Sequence, residues 1–361
     1  MSRAREFADL AGSADAGGIS GSNVIINGAF QIAQRGTSTT GGGFLVDRFE
    51  LNINNTDNIA ITQSQDSSGP SGFSNSWKIL ATTAESAVAA DERVRFRQNI
   101  EGQNLQQFAF GTSAAKSMTL SFYVKSNVTG TYAVNLEQDD ASRVIGSTYT
   151  ISSADTWEFK TITVGGDTSG TINDDNGAGL VVSWYLLAGS NYTGTDNTSY
   201  GASADGKQAY GHTADWGQDT NDNFFITGVQ LELGEQATPF EHRSFGDELL
   251  RCQRYFVNYP DTSSGTNLVF MGRGNGTTQA VNVNFPMPVV MRATPTFSQI
   301  ASLSAMGPSG YNGASNVTPT VTGTPDFEPN LSTSFTGLSG LTDNRFAGVY
   351  IYSPFSISAE L

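Results

Sequence analysis

The stretch LSFYVKS, residues 120–126, alternates apolar residues with serine, tyrosine and lysine. Successive side chains of a β-strand point to opposite faces, so a period of two predicts a strand with one buried face. YAVNLEQ (residues 132–138) has the same period, and so does RVRFRQ (93–98), in which Val94 and Phe96 alternate with arginines. These segments are therefore predicted to be half-buried antiparallel strands.

Two further segments extend this pattern. LVVSWYLL, residues 180–187, is apolar on both faces, which predicts a central strand covered on both sides. FFITGVQLELG, residues 224–234, is predicted to direct Phe225 and Val229 inward and Gln230 outward. Because strands recur at this spacing without helical patterns between them, we predict an all-β fold built on a jelly-roll β-sandwich.

The pattern changes near residue 245, where SFGDELLRCQRYF begins with a capping-box signal, Ser244 followed by Asp247. Apolar residues then recur at helical intervals, which predicts a short helix from about Asp247 to Tyr255. Alternation returns beyond this helix. The stretch between Met291 and Phe346, however, is rich in Pro, Gly, Ser and Thr, and it is predicted to carry only short strands or loops.

These patterns predict three parts. Residues 1–22 form an N-terminal docking arm and linker, residues 23–245 form the jelly-roll β-sandwich, and residues 246–361 form a short helix with a smaller C-terminal β domain. The linker of the first part is rich in Gly, Ala and Ser. Such a segment is either a disordered tail or an arm that becomes ordered when it docks on another protein.

The charge balance excludes several kinds of partner. The chain carries 34 acidic and 19 basic residues, a net charge of −15. Such a surface repels the phosphates of nucleic acids and of anionic membranes. No run approaches the roughly 18 apolar residues of a membrane span, so no membrane insertion is expected. The first residues lack the apolar run of a signal peptide, so we expect synthesis in a cytoplasm without export by the general secretory route.

Catalytic chemistry has little support in the sequence. The chain holds one cysteine, Cys252, on the predicted apolar helix face, and two histidines, His212 and His242. This set forms neither an intrachain disulfide nor a usual zinc cluster. Paired carboxylates can cleave glycosidic bonds, but among 34 acidic residues some pair always looks suitable. We therefore predict a protein that is not an enzyme and has no cofactor, apart from the calcium ion considered below.

The long irregular segment GSNYTGTDNTSYGASADGKQAYGHTADWGQDTNDN, residues 189–223, follows the predicted central strand. Loops of this length inside a compact domain are uncommon and often functional. Tyr192, Tyr200, Tyr210 and Trp216 alternate there with short polar residues, and aromatic faces beside polar groups suit the C–H faces and hydroxyl edges of sugars. These four are the predicted glycan-binding residues. The alternative is that they pin the loop to the sheet.

DTNDN, at the end of this segment, clusters oxygen donors of the kind that Ca²⁺ prefers. Asp219, Asn221 and Asp222 are the predicted ligands of a structural Ca²⁺. The spacing is not that of an EF-hand loop, and acidic turns are ordinary in an acidic protein, so a plain turn is the alternative.

Arg93, Arg95 and Arg97 share one face of a predicted strand. An acidic neighbouring strand or subunit is the favoured partner of this row, because opposite charges in register stabilise sheets. An anionic glycan is the alternative.

Several segments of the chain resemble phage and prophage tail-fibre-like virion proteins. NVIINGAFQIAQRG (residues 23–36) and VDRF (46–49) resemble the opening of these proteins, and ITGVQLELGEQATPFEHRSFGDELLRCQRYF (226–256) resembles the signature that closes their sandwich domain. FPMPVVMRATPT (285–296) and the final SISAEL (356–361) resemble parts of their C-terminal region. The resemblance implies a jelly roll like that of carbohydrate-binding modules, carried on a virion appendage that is often trimeric.

We therefore expect a structural protein of a bacteriophage virion, made in the host cytoplasm and placed in a tail fibre or similar appendage. Its arm would dock on other virion proteins, its copies would form a homotrimer, and its sandwich would contribute to host attachment by binding a surface polysaccharide. The alternative is a head-decorating or connector protein with no ligand of its own. A polysaccharide depolymerase is a less favoured alternative.

Overall fold

The computed structural model describes residues 23–56, 58–259, 268–307, 310–321 and 330–361. The predicted docking arm, residues 1–22, lies outside the described residues. Contacts divide the chain into two compact units: one of residues up to Phe245 together with Leu361, the other of Gly246–Glu360. The change of sequence pattern near residue 245 lies at this division. No helix in the described part of the chain is long and apolar enough to cross a membrane.

The first unit is a sandwich of antiparallel strands. In chain order its strands are β1 Ser38–Thr40, β2 Gly43–Phe44, β3 Glu50–Asn54, β4 Ala60–Asp66, β5 Ser76–Thr83, β6 Arg93–Glu101, β7 Met118–Ser126, β8 Gly130–Gln138, β9 Arg143–Ile151, β10 Glu158–Val164, β11 Ala178–Ala188, β12 Gly201–Ala202 and β13 Asn223–Leu233. Short helical segments lie in its loops: the α-helix α1 Ser190–Thr193 and the 3₁₀ turns Gly102–Asn104, Gln106–Phe108 and Asp205–Lys207.

These strands form two sheets. The six-stranded sheet has the order β1-β4-β5-β13-β7-β10, and the seven-stranded sheet has the order β12-β9-β8-β11-β6-β3-β2. From β5 to β8 and again from β9 to β11 the chain changes sheet at each step, which is the winding of a jelly roll. The predicted all-β jelly-roll sandwich is confirmed. The apolar segment at 180–187 is the centre of β11, which pairs with β6 on one side and β8 on the other.

Aromatic rings fill the space between the two sheets. The ring of Phe96 stacks on Trp184 at a centroid distance of 5.1 Å and meets Trp77 edge-on at 5.3 Å. All three are fully buried, as are Phe122 and Val124 of the opening stretch. Each such side chain contributes roughly 1.5–3 kcal/mol by leaving water. The predicted period of two is therefore confirmed for β6 and β7, because it places these side chains in the core.

Strand β13 corrects one prediction. Phe224 and Ile226 point into the core and are fully buried, so Phe225 between them points outward. The pairing of β13 with β7 shifts register between Thr227 and Gln230, and Gly228 has a φ of 62° there. A β-bulge of this kind adds a residue and reverses the phase of alternation. The prediction that Phe225 faces inward with the residues beyond the bulge was wrong for this reason.

The second unit starts at the linking helix, α2, which covers Phe245–Gln253. Its strands are β14 Phe256–Tyr259, β15 Leu268–Asn275, β16 Gln279–Pro286, β17 Thr296–Phe297, β18 Ile300–Gly307, β19 Gly310–Val317, β20 Thr320–Val321, β21 Asn330–Thr336, β22 Phe346–Ile351 and β23 Phe355–Ser358. They form a three-stranded sheet, β14-β23-β17, and a seven-stranded sheet, β19-β18-β22-β15-β16-β21-β20.

The second unit also corrects a prediction. The stretch between Met291 and Phe346 contains the paired eight-residue strands β18 and β19, not only short strands and loops. Its small polar residues fit a pleated surface, and the buried Leu303 and Ala305 of β18 supply the apolar alternation. Composition alone resembled that of a loop, because the apolar residues are few and small.

Candidate functional site

The long irregular segment of the first unit folds onto the outer face of the seven-stranded sheet. The amide nitrogen of Asn197 donates to Asn135 Oδ1 of β8 at 3.0 Å, and the hydroxyl of Ser203 donates to Glu137 of β8 at 2.5 Å. The backbone nitrogen of Gly146 on β9 donates to Asn197 O at 2.8 Å. The segment therefore covers part of this sheet and does not project from it as a free loop.

This arrangement buries two of the four predicted glycan-binding rings. Trp216 is fully buried in the core, and Tyr192 packs in a small cluster with Tyr185, where it is 6% exposed. The guanidinium of Arg93 lies 4.8 Å from the centre of the Tyr192 ring. Neither ring has a face open to a sugar. The prediction that Tyr192 and Trp216 are open platforms is corrected, because the fold uses both rings to attach the segment.

The other two predicted rings lie nearer the surface. Tyr200 packs partly against the core, with its ring 6.1 Å from Phe110, and burial raises the pKa of its hydroxyl. Tyr210 is 36% exposed. Tyr210 is the one exposed residue among the four predicted rings. These four residues therefore do not form a shared aromatic platform.

The predicted calcium ligands form a hydrogen-bonded turn. The Oδ2 atom of Asp222 accepts hydrogen bonds from the backbone nitrogens of Gly217, at 2.9 Å, and of Asp219, at 3.1 Å. Burial raises the pKa of the Asp222 carboxyl. Asn221 adopts a left-handed φ of 77°, and its backbone nitrogen donates to Ala81 O at 2.8 Å. Within the described residues no group of three or more His, Cys, Asp or Glu side chains is placed to hold a metal ion.

The arginine row lies on the outer face of β6, where its neighbours on β3 are in register. Arg97 is opposite Glu50, and its Nε atom donates to Glu50 Oε2 at 2.8 Å. This is the kind of acidic partner on a neighbouring strand that the sequence predicts. Arg95 is opposite Asn52 instead, and its Nη1 atom donates to the Tyr185 hydroxyl at 3.4 Å. The expected acidic partner is thus present for one arginine of the row on this strand, at Arg97.

The outer face of the six-stranded sheet has a different character, because aromatic side chains lie on it in a row. Tyr123 of β7 is directly across from Phe159 of β10, and their ring centroids are 4.8 Å apart. The ring of Phe73, from the loop before β5, lies 5.5 Å from Tyr123. Phe159 is 49% exposed, and Tyr123 and Phe73 are half-buried. We call Phe73, Tyr123 and Phe159, together with the neighbouring Trp157 and Phe225, the aromatic surface.

The bulge in β13 and the segment after it hold this row in place. Gly228, at the bulge, leaves room for the Phe73 ring, which packs on its other side against Phe240 at 5.0 Å and His242 at 5.3 Å. A ring fixed on both sides loses little freedom on binding, and aromatic contacts of this kind add about 0.5–1.5 kcal/mol each. The aromatic surface is therefore preorganised by neighbouring packing.

Two lysines complete the aromatic surface. Lys78 of β5 and Lys125 of β7 are both in register with Phe225 of β13, one on each side. Their ammonium nitrogens lie 5.3 Å and 4.2 Å from the centre of the Phe225 ring, and Lys125 also lies 5.1 Å from that of Trp157. These are cation–π distances. We call Lys78 and Lys125 the lysine pair.

The sequence pattern predicts only part of the aromatic surface. The alternation in residues 120–126 places Tyr123 and Lys125 on the face opposite the core, which the structure confirms. No local pattern places Phe73 or the neighbouring Trp157 and Phe159 on this surface, because only the strand pairing brings these segments next to Tyr123. The signal that could have found Phe159 is its place in EFKTITV, where an apolar residue interrupts the outward positions of a strand.

No protein-family model matches the sequence, and no curated protein matches it. Solved structures with a similar arrangement include the enzymatically active domain of tailspike protein 4 of bacteriophage CBA120, at 12% identity and a TM-score of 0.32, over 59% of this chain and 21% of that one. Another is a family 11 carbohydrate-binding module of Clostridium thermocellum in complex with a mixed-linked tetrasaccharide. It matches at 12% identity and a TM-score of 0.28, over 56% of this chain and 98% of that one. A third is the module TmCBM61 in complex with β-1,4-galactotriose. It matches at 9% identity and a TM-score of 0.28, over 60% of this chain and 100% of that one. The chain thus spans only a small part of the tailspike domain, and no residue or activity is transferred from these proteins.

Proposed function

We propose that this protein is a structural component of a bacteriophage virion appendage, such as a tail fibre, and that it binds host-surface glycans without cleaving them. The single observation that carries the binding half is the pair of the half-buried Tyr123 and the exposed Phe159, with ring centroids 4.8 Å apart on the outer face of the six-stranded sheet. The resemblance of residues 226–256 to tail-fibre-like proteins supports the virion half.

The chemistry of the aromatic surface suits a sugar. The C–H face of a pyranose packs on an aromatic ring, while its hydroxyls need short polar partners at the ring edge. Thr161 and Thr163 follow Phe159 on the same face of β10, and both are exposed. The Thr163 hydroxyl already donates to Glu235 O at 3.2 Å and contacts the Thr119 hydroxyl at 2.9 Å. The ring platform beside the exposed Thr161 therefore offers both kinds of contact on one strand.

Repetition of a weak site is the second part of the proposal. The second unit exposes Val269 and Met271 on β15 and Phe346 on β22, at 42%, 64% and 50%. β15 and β22 pair directly, so these apolar side chains lie on adjacent strands. Their exposure supports self-association, for which we propose the homotrimer that the sequence resemblance implies. Several weak sugar sites on one particle bind far more strongly than one.

The test is a glycan array probed with the wild-type chain and with two matched tyrosine variants. Tyr123→Ala removes a ring of the aromatic surface, and Tyr210→Ala removes an exposed ring from the segment on the other sheet. We expect binding to a host envelope polysaccharide that Tyr123→Ala abolishes and Tyr210→Ala leaves intact. If only Tyr210→Ala lost glycan binding, the binding site would lie in the long segment of residues 189–223 instead. No binding by the wild type would remove the glycan proposal and favour a connector protein, and shortened polysaccharide chains would indicate a depolymerase.

A further inference from the structure

We propose that the aromatic surface is selective for acidic glycans, and that the lysine pair binds the carboxylate of the sugar beside the rings. This inference rests on the proposed function of the same surface, and it names the class of ligand. It goes beyond aromatic stacking, which does not by itself distinguish a neutral sugar from a charged one.

The two ammonium groups of the lysine pair are not neutralised by an acidic side chain within the described residues, and they lie close together on one face. The chain has a net charge of −15 and five lysines, and two of these lie on either side of one phenylalanine. Neither ammonium group has a hydrogen bond or an ion pair among the described residues, where both lie over aromatic rings. Lys160, by contrast, lies 2.6 Å from Glu158. Two free cations together on an acidic protein point to an anionic partner from outside the chain.

Two acidic residues on the neighbouring strands β10 and β4 bond to groups other than the lysine pair. Glu158, at the start of β10, accepts hydrogen bonds from Lys160 and from the backbone nitrogens of Ser152 and Ser153. Asp66, at the end of β4, accepts a hydrogen bond from the backbone nitrogen of Ser68 at 2.9 Å. Neither carboxylate forms an ion pair with Lys78 or Lys125 in the described part of the chain.

The rings also determine how the lysines are presented. An ammonium group over an aromatic face is held by the ring's electrons and keeps its three N–H donors for other partners. Lysine otherwise loses about 1.5–2 kcal/mol of side-chain freedom when it is ordered. Because the Phe225 and Trp157 rings already restrict Lys125, less of that freedom is lost when a carboxylate binds.

The arrangement therefore has the three parts that an acidic sugar requires. Tyr123 and Phe159 offer ring faces for the pyranose, and Thr161 of β10 offers a hydroxyl partner. Lys125 lies two residues beyond Tyr123 on β7, and Lys78 lies across β13 from it, on β5. A uronic or sialic acid carries its carboxylate at the edge of the ring, next to the stacking face. Stacking and charge pairing can then occur in one binding event.

The experiment measures binding of the whole chain to polymers that differ in charge. Polygalacturonate and polysialic acid supply carboxylates on two different backbones, fully methyl-esterified polygalacturonate is the uncharged match of the first, and dextran sulfate separates carboxylate from sulfate recognition. The test variant carries both Lys78→Gln and Lys125→Gln. The control is Lys116→Gln, which removes one charge at an exposed position outside the aromatic surface. The unfolding midpoint of each variant confirms that it is folded.

We expect at least one carboxylate polymer to bind about tenfold more tightly than its uncharged match or than dextran sulfate, and the double variant to lose that advantage. Lys116→Gln should retain it, and raising the salt concentration should reduce it. Equal binding of charged and uncharged polygalacturonate, or full retention by the double variant, overturns the inference, and so does failure to bind either carboxylate polymer. Tyr123-dependent binding of a neutral glycan on the array would in each of those cases leave the proposed function standing.

Discussion

Phe73 lies so close to Gly228 that a Cβ atom added to the glycine would stand 2.7 Å from Cζ of the phenylalanine ring. The same Cβ would stand 3.1 Å from the ring of Tyr123, and Gly228 has a φ of 62°. The bulge of β13 therefore supports the aromatic surface directly, because one glycine provides both the backbone turn and the space that two of its rings occupy.

Gly228→Ala should lower both stability and glycan binding. The added methyl group is strained at this φ and displaces the Phe73 ring, so we expect a loss of about 1–3 kcal/mol in the free energy of unfolding. Denaturant titration measures that loss, and the glycan array measures binding. Gly165→Ala is the matched control, because nothing lies within 4 Å of a Cβ there and its φ is not in the left-handed region. Equal effects of the two variants would contradict the supporting role of Gly228.

Substitutions at Trp216 and Phe159 should have opposite effects on stability and on glycan binding. Trp216→Ala removes a fully buried indole from the core and should cost about 3–5 kcal/mol of unfolding free energy. Phe159→Ala removes a ring that is 49% exposed and should cost less than about 1 kcal/mol while it abolishes glycan binding. Thermal unfolding and the array are measured on both proteins. Intact stability with lost binding in the Trp216 variant would show that its indole contacts the ligand.

The difference between these two residues shows what sequence can and cannot predict here. The core side chains of β6 and β7 follow from a period of two, because burial on one face of a strand is a local property. Trp216 resembled a platform, since its neighbours in sequence are polar, yet its burial depends on where the long segment lies on the sheet. Phe225 was assigned to the wrong face, because the bulge that reverses the alternation is a feature of strand pairing. The aromatic surface itself joins four separate segments, and only the register of β5, β13, β7 and β10 brings them together.

Asp222 should stabilise its turn without a metal ion. Asp222→Ala leaves the backbone nitrogens of Gly217 and Asp219 without their acceptor, so we expect a loss of about 1–3 kcal/mol. Asp222→Asn keeps one acceptor oxygen and should lose less. The unfolding midpoint of the wild type should be the same in millimolar Ca²⁺ and in EDTA. A midpoint that rises with Ca²⁺, and no longer does so in the Asn variant, would restore the predicted calcium site.

The exposed apolar residues of the second unit should be needed for self-association. Met271→Lys and Phe346→Lys place charges on neighbouring strands, where burial against another copy would desolvate them. Light scattering coupled to size-exclusion chromatography should find three chains for the wild type and one for the double variant. Leu250→Lys, at an exposed apolar position on α2, is the control and should remain trimeric. A wild type that elutes as a single chain would contradict the homotrimer.

His212 should make the first unit sensitive to mild acid. Burial lowers the pKa of its imidazole to about 4, from an ordinary value of 6.5. The Nδ1 atom accepts a hydrogen bond from the backbone nitrogen of Ala133 at 3.4 Å, and the Nε2 atom is buried with no partner in the described part of the chain. The neutral ring therefore fits this site, and protonation would both remove the acceptor and bury a charge.

The sign of the effect follows from the two protonation equilibria. Between pH 6.5 and about 4 the unfolded chain takes up a proton at His212 and the folded chain does not, so acidification favours unfolding. The contribution of His212 is complete above pH 6.5 and falls by up to about 3 kcal/mol as the pH approaches 4. Denaturant unfolding of the wild type and of His212→Gln at pH 7.5 and pH 4.5 measures it, because the subtraction cancels the other titrating groups. The wild type should lose more stability than the variant over this interval, whereas His242→Gln, at an exposed histidine, should follow the wild type. Parallel losses in wild type and His212→Gln would show that His212 is not the group that responds to acid.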